Sequence, residues 1–289
     1  MLVTPAIREL EGVLRTTPLG LRFWDPVLGR HVNDGLLVTA AALDVPSLPR
    51  IALPNRTGGL GFRTLPGLRD SDLGASSSAF WSSPPVHRDY LIRMTDTQER
   101  FLPLTFRATA PHSGWFTPPF ENALDSLPVG SIPLFPDASR SLGPGAIAVR
   151  AELWDQIADS PAAWAFVQLR VSTQVGIAIA HGLADHHGHV LAAFPHTEPI
   201  LHGRATVLPT EPGNLNGLTW SLEFAIFYRR LPGDRLPPDL CDILGQPHAG
   251  TLDPNALEIR RDVNDLQFGS NLHLRASNDP LGRILIRPG

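Results

Sequence analysis

Six of the eleven histidines in this chain fall between His181 and His202, and three of them, His186, His187 and His189, crowd around one glycine. Neutral imidazoles at that density can ligate Zn²⁺ or Ni²⁺. On a strand, alternate residues share a face, so His187 and His189 would point the same way. No cysteine, aspartate or glutamate set completes a recognised ligand spacing around them, and a turn tip is where exposed polar residues ordinarily collect. The three histidines are therefore weak metal candidates, and no metal or other cofactor is expected.

Other chemistry is harder to place. There is no Gly-x-Ser-x-Gly elbow and no His-Glu-x-x-His pair. Gly58-Gly-Leu-Gly61 lacks the spacing of a phosphate-binding loop and fits a hairpin turn. Asp155, Asp159, Asp185 and Glu198 show no paired motif and would need burial to work as acid and base. No catalytic residue is expected. The aromatics are a better lead. Trp24 and Trp154 each precede an aspartate and fit core anchors at strand ends. Phe80-Trp81 and Trp115-Phe116 lie instead in serine- and proline-rich stretches, where an exposed ring can fill a pocket on a partner. Phe80, Trp81, Trp115 and Phe116 are the expected partner-binding residues.

The elements that would carry these residues repeat. Leu21-Arg-Phe-Trp-Asp25 is echoed by Ala151-Glu-Leu-Trp-Asp155. In both places a short polar connection leads to an apolar run, Leu36 to Ala40 and Phe166 to Arg170. A glycine turn then runs into a strand ending at proline: Thr57 to Pro66 in the first copy, Ala184 to Pro195 in the second. An internal repeat of this size points to two related β-domains and to a building or binding role.

Period-two alternation dominates. Leu218 to Tyr228 places Leu218, Trp220, Leu222, Phe224, Ile226 and Tyr228 on one face. Ile147, Val149, Ala151 and Leu153 align similarly, and shorter strands are expected at 90–94, 102–107, 175–180, 190–194, 257–260, 272–275 and 283–287. Helix is scarce: Ala6 to Leu14 and Asp239 to Leu244 are the candidates. Proline, at 29 residues, is about twice its usual share and suits short strands and turns.

Charged residues make up 18%, below the roughly 25% of ordinary domains, and the net charge is −4. A general nucleic-acid footprint is therefore not expected. All basic residues are arginine. The single Cys241 excludes an internal disulfide. The N-terminal residues have no signal-peptide pattern, and no apolar run approaches the ~18 residues of a membrane span, so cytoplasmic assembly without membrane insertion is expected. The expected layout is a first β-sandwich over 1–112, a proline-rich linker over 113–144, a second sandwich over 145–231, and a C-terminal strand unit over 232–289 that docks on a domain or a partner.

Asp25-Pro-Val-Leu-Gly-Arg30 with Asn33-Asp-Gly-Leu-Leu-Val38, Gly61-Phe-Arg-Thr-Leu-Pro-Gly67, and Gly182-Leu-Ala-Asp-His-His-Gly-His-Val190 resemble the segments of carboxypeptidase-regulatory-like domains. That resemblance implies an all-β fold of two tandem transthyretin-like, immunoglobulin-like β-sandwiches with the short C-terminal strand unit. The layout, with Phe101-Leu-Pro-Leu-Thr-Phe106, Leu134-Phe135 and Arg140 before the second domain, resembles proteins of phage-tail-like contractile injection systems. It implies a non-catalytic baseplate or cap subunit whose partners are other protein subunits in a multi-copy particle, assembled in the cytoplasm and open to release outside the cell. One departure is Asp185-His-His-Gly-His189, where that pattern has arginine at the last position. Two rival functions stay open: a carbohydrate-binding or adhesive module built on Trp81 and Trp115, and a metal-dependent hydrolase built on the 181–202 histidines.

Overall fold

A computed structural model describes residues 17–55, 57–68, 87–112, 114–119, 124, 127–143, 146–173, 176–194, 219–231, 237–251, 265–267, 271–276 and 279–289. The fold is nearly all β. In the first half the strands are β1 (Gly20–Leu21), β2 (Phe23–Asp25), β3 (Arg30–Val32), β4 (Leu36–Ala42), β5 (Arg50–Ile51), β6 (Leu53–Pro54), β7 (Leu60–Gly61), β8 (Arg88–Asp96), β9 (Leu104–Ala110) and β10 (Ile132–Pro133). In the second half they are β11 (Ile147–Asp155), β12 (Ser160–Pro161), β13 (Phe166–Thr173), β14 (Gly176–Leu183), β15 (His189–Phe194), β16 (Thr219–Phe227), β17 (Gly250–Thr251), β18 (Asp265–Gln267), β19 (Asn271–His273) and β20 (Ile284–Arg287). A short helix, α1 (Leu240–Leu244), is capped by Asp239, whose carboxylate accepts from the Cys241 N–H. The expected helix at Ala6 to Leu14, the expected strand at 257–260, Phe80 and Trp81 lie outside the described residues.

The alternating faces read from sequence are the buried ones. Leu222, Ile226 and Tyr228 are buried on one side of β16 while Glu223 is exposed. Tyr90, Ile92 and Met94 are buried along β8, and Ile147, Val149 and Leu153 along β11. One apolar cluster gathers Leu21, Phe23, Tyr90, Phe106 and Phe135; a second gathers Val149, Leu169, Ile226 and Ile286. Trp164, Phe166, Leu183, Leu240 and Ile243 come from the second half of the chain but bury in the first cluster.

The repeat is also a repeat of register. β1 pairs with β7 through Gly20 and Gly61, and β11 pairs with β15 through Arg150 and Leu191. Asp25 faces Arg30, and Asp155 faces Ser160. Pro54 faces Leu60, and Ala184 faces Val190. Each of these positions in the second copy stands at the same offset from its counterpart in the first. Two four-strand sheets, β5-β4-β8-β9 and β14-β13-β16-β18, follow the same plan.

Two of the expected segments take part in these sheets. Residues 113–144 are not a bare linker. Ile132 and Pro133 pair in parallel with Phe23 and Trp24, and Phe116, Ile132, Leu134 and Phe135 are buried in the first cluster. Pro133 is tolerated because Ile132 and Leu134 supply the donors, to the carbonyls of Arg22 and Trp24, so its missing N–H costs no ladder bond. The C-terminal strands complete this chain's own sheets: β19 and β20 lie parallel to β11, β17 pairs with β20, and β18 pairs with β16. α1 docks against the first cluster through Leu240 and Ile243.

Candidate functional site

Each copy opens on a buried aspartate at a tight turn. Asp25 accepts from the N–H groups of Val27 and Leu28, at 2.8 and 3.2 Å. Asp155 accepts from Ile157 and Ala158, at 2.9 and 3.0 Å. The fourth residue after each, Gly29 and Asp159, has positive φ (60° and 49°). An arginine closes each carboxylate: Arg140 reaches Asp25 at 2.7 Å and Arg230 reaches Asp155 at 2.7 Å. The Tyr228 hydroxyl also donates to Asp155, at 3.1 Å. Burial pushes the Asp155 carboxyl up, but Arg230, the two backbone donors and Tyr228 outweigh it and hold it below its ordinary range. Burial, then the Asp155 charge, pushes Tyr228 up to about 12. These acids hold turns together and are saturated with donors. The repeated Trp-Asp pair was the sequence signal for them, but it drew attention to the tryptophans. Trp24 and Trp154 are only half-buried, and the aspartates are the buried members.

The second repeated tip carries the histidines. Asn55 accepts from the N–H groups of Thr57 and Gly59, and Asp185 accepts from those of His187 and His189. Gly58 and Gly188 share a φ of 82°. His186, His187 and His189 are exposed on this tip. The rings of His186 and His187 lie 3.8 Å apart and those of His187 and His189 6.1 Å apart. Among the described residues no three His, Cys, Asp or Glu side chains gather where they could hold a metal ion. The Cys241 thiol is pushed up to about 11, first by desolvation and then by Asp239, which disfavours the nucleophilic thiolate.

The expected aromatic anchors part company. Phe116 is buried, its ring stacked 5.9 Å from Phe106 inside the first cluster, so it is not an exposed anchor. The reason is the 113–144 stretch: the Phe116 N–H donates to the Gly20 carbonyl, which turns the ring inward. Trp115 is half-buried over Gly20 and Gly59, with the Arg22 guanidinium 4.9 Å from its ring centre. An indole held that way is not a free platform for a sugar.

No family model, curated protein or solved structure matches the chain. Among the described residues no helix is long and apolar enough to cross a membrane. The functional reading therefore stands on the surface itself.

Among the described residues, the exposed apolar side chains Leu37, Leu43, Leu48, Ile51 and Leu53 lie on β4, β5, β6 and the segment joining them, at the edge of the first four-strand sheet. β5 is the terminal strand, with Thr39 facing Ile51 and the Ala52 N–H donating to Val38. Val38, Ala40 and Ala52 point inward; Leu37, Ile51 and Leu53 do not. Leu48 is 84% exposed, Ile51 59% and Leu43 50%. Sequence reading missed this edge because Pro46 and Pro49 break the strand pattern there, leaving nothing periodic to detect. The second copy also leaves its counterpart strand, β14, at the end of the strand order, with Ile177 64% exposed.

Proposed function

We propose that the two repeated units are tandem transthyretin-like β-sandwiches and that the protein is a non-catalytic assembly subunit, bound to other protein subunits through the apolar edge of its first sheet. The observation that carries this reading is the exposure of Leu37, Leu43, Leu48, Ile51 and Leu53 around a terminal strand. A strand edge with an apolar rim is a template for a partner's strand. The two buried aspartates support the non-catalytic part, since both are fully engaged in turns and ion pairs. The resemblance of Phe101 to Phe106, Leu134-Phe135 and Arg140 points to a phage-tail-like contractile injection particle, with a place at its baseplate or cap and assembly in the cytoplasm.

Co-sedimentation of the full chain with particles assembled from co-expressed sheath, tube and baseplate subunits tests it. The wild type is expected in the particle fraction. The Leu48→Asp, Ile51→Asp double variant is expected to stay free with an unchanged melting temperature, because both side chains are already exposed. A wild-type chain that remains a free monomer while particles form without it overturns the reading.

A further inference from the structure

The two copies treat one structural slot differently. In the first copy Trp115 bridges to Gly20 in parallel, and its indole lies across Gly20 and Gly59. A Cβ on Gly59 would collide with that ring. Gly130, at a φ of 66°, closes the slot beside the Arg22 guanidinium, which sits over the indole. In the second copy the register puts Arg150 in place of Gly20, His189 in place of Gly59 and His273 in place of Trp115. Gly282, at a φ of 74°, repeats Gly130 as the residue two before the parallel strand. The place that holds Trp115 in copy one is, in copy two, a groove of about 410 Å³ lined by Arg150, Glu152, His189, His273, Arg275 and Gly282.

The repeat puts Glu152 in the place of Arg22, and the cation of the second copy comes from another strand: a Cβ on Gly282 would touch the Arg275 stem at 3.3 Å. Among the described residues no carboxylate pairs with Arg275, whereas Arg150 is held by the carbonyls of Ala138 and Arg140. Ala151, Val190 and Leu274 add apolar surface to the walls. A guanidinium beside an apolar wall and two imidazoles favours an aromatic ring, through cation–π attraction and stacking. The His189 side chain bars the pose Trp115 takes, so a ring must enter from outside and stack on the imidazoles.

We propose that this groove receives an aromatic side chain of indole size from a partner protein, in the role that Trp115 plays from within for the first copy. This rests on the assembly reading for its partner, but it concerns a surface other than the apolar edge.

The test is titration of the full-length protein with N-acetyltryptophanamide, followed by NMR, with N-acetylleucinamide as the aliphatic control. The expected result is saturable binding of the indole amide with a dissociation constant near or below about 1 mM, and none of the leucine amide. Arg275→Gln, at an exposed position, is expected to weaken binding about fivefold or more with no change in melting temperature. The His189→Gly, His273→Trp double variant supplies an indole from within and removes the side chain that bars it, with Arg150 kept where copy one has Gly20, and is expected to abolish binding. No saturable binding to the wild type, equal binding of the leucine amide, or binding that survives both variants overturns the proposal. Loss of co-sedimentation by the edge variant is a separate readout, so either reading can fail while the other holds.

Discussion

The two copies share a backbone and differ in what sits on it. Both pin a buried aspartate under a four-residue turn, both carry a glycine at a φ of 82° beneath an Asn or Asp tip, and both take a parallel strand from far along the chain. The first copy covers its slot with its own Trp115; the second leaves a groove edged by His189, His273 and Arg275. The sheet edges diverge too. β13 and β14 form a long hairpin pairing Phe166 to Leu183 through Thr173 to Gly176, whereas β5 contributes two residues to β4. A repeat therefore preserves the groups that hold the backbone and frees the side chains between them.

The sharpest way to break that comparison is to remove its shared acid. Arg140 beside Asp25 is 8% exposed, while Arg230 beside Asp155 is 49% exposed. Asp25→Ala strands a buried guanidinium and is expected to cost about 4 kcal/mol; Asp155→Ala leaves a cation that water can reach and should cost about 2 kcal/mol, both measured by urea unfolding. Equal losses would mean the two ion pairs are the same device after all. The tip glycines come next. Alanine at either faces positive-φ strain of about 1–2 kcal/mol. At Gly58 nothing lies within 4 Å of the new methyl, whereas at Gly188 it meets the Leu153 carbonyl. Gly188→Ala is expected to lose about 3 kcal/mol and Gly58→Ala about 1 kcal/mol.

Trp115→Ala should cost about 2 kcal/mol, since it empties a packed slot, while His273→Ala, at an exposed position, should stay within about 0.5 kcal/mol. Similar losses at both positions would contradict the contrast between a filled slot and an open one. The smallest effect is in pH. Asp155 lies below its ordinary 3.8. A carboxylate lowered by folding contributes its stabilisation above the unfolded value and loses it as pH falls through the folded value. Stability measured from pH 7 to pH 2 should therefore fall less steeply below about pH 4 for Asp155→Asn than for the wild type.

Much of the fold was legible because it is local. Alternation marked the buried faces of β8, β11 and β16, and the echo of Trp24-Asp25 in Trp154-Asp155 marked the repeat. Of the parallel strands, β19 and β20 fall on stretches whose sequence reads as strand, but nothing there shows that they pair with β11, and β10, two residues ending in Pro133, is too short for any periodicity to show. Their pairing depends on residues far away in the chain, and the 113–144 stretch looked like a linker for that reason. The candidate site fared similarly. Nothing near Trp115 in sequence reveals that Gly20 and Gly59 make room for its ring, and nothing near Phe116 reveals that its ring stacks on Phe106.

What the amino-acid order determined by itself is the rhythm of short strands and turns, set by side-chain alternation and by Asp, Asn and Gly acting within a few residues of themselves. Which slot is filled and which edge is bare was decided only in three dimensions. Those outcomes depend on whether a distant residue offers a ring, a bare Cα or a charged stem to the same place, and steric fit between remote segments leaves no trace in local pattern.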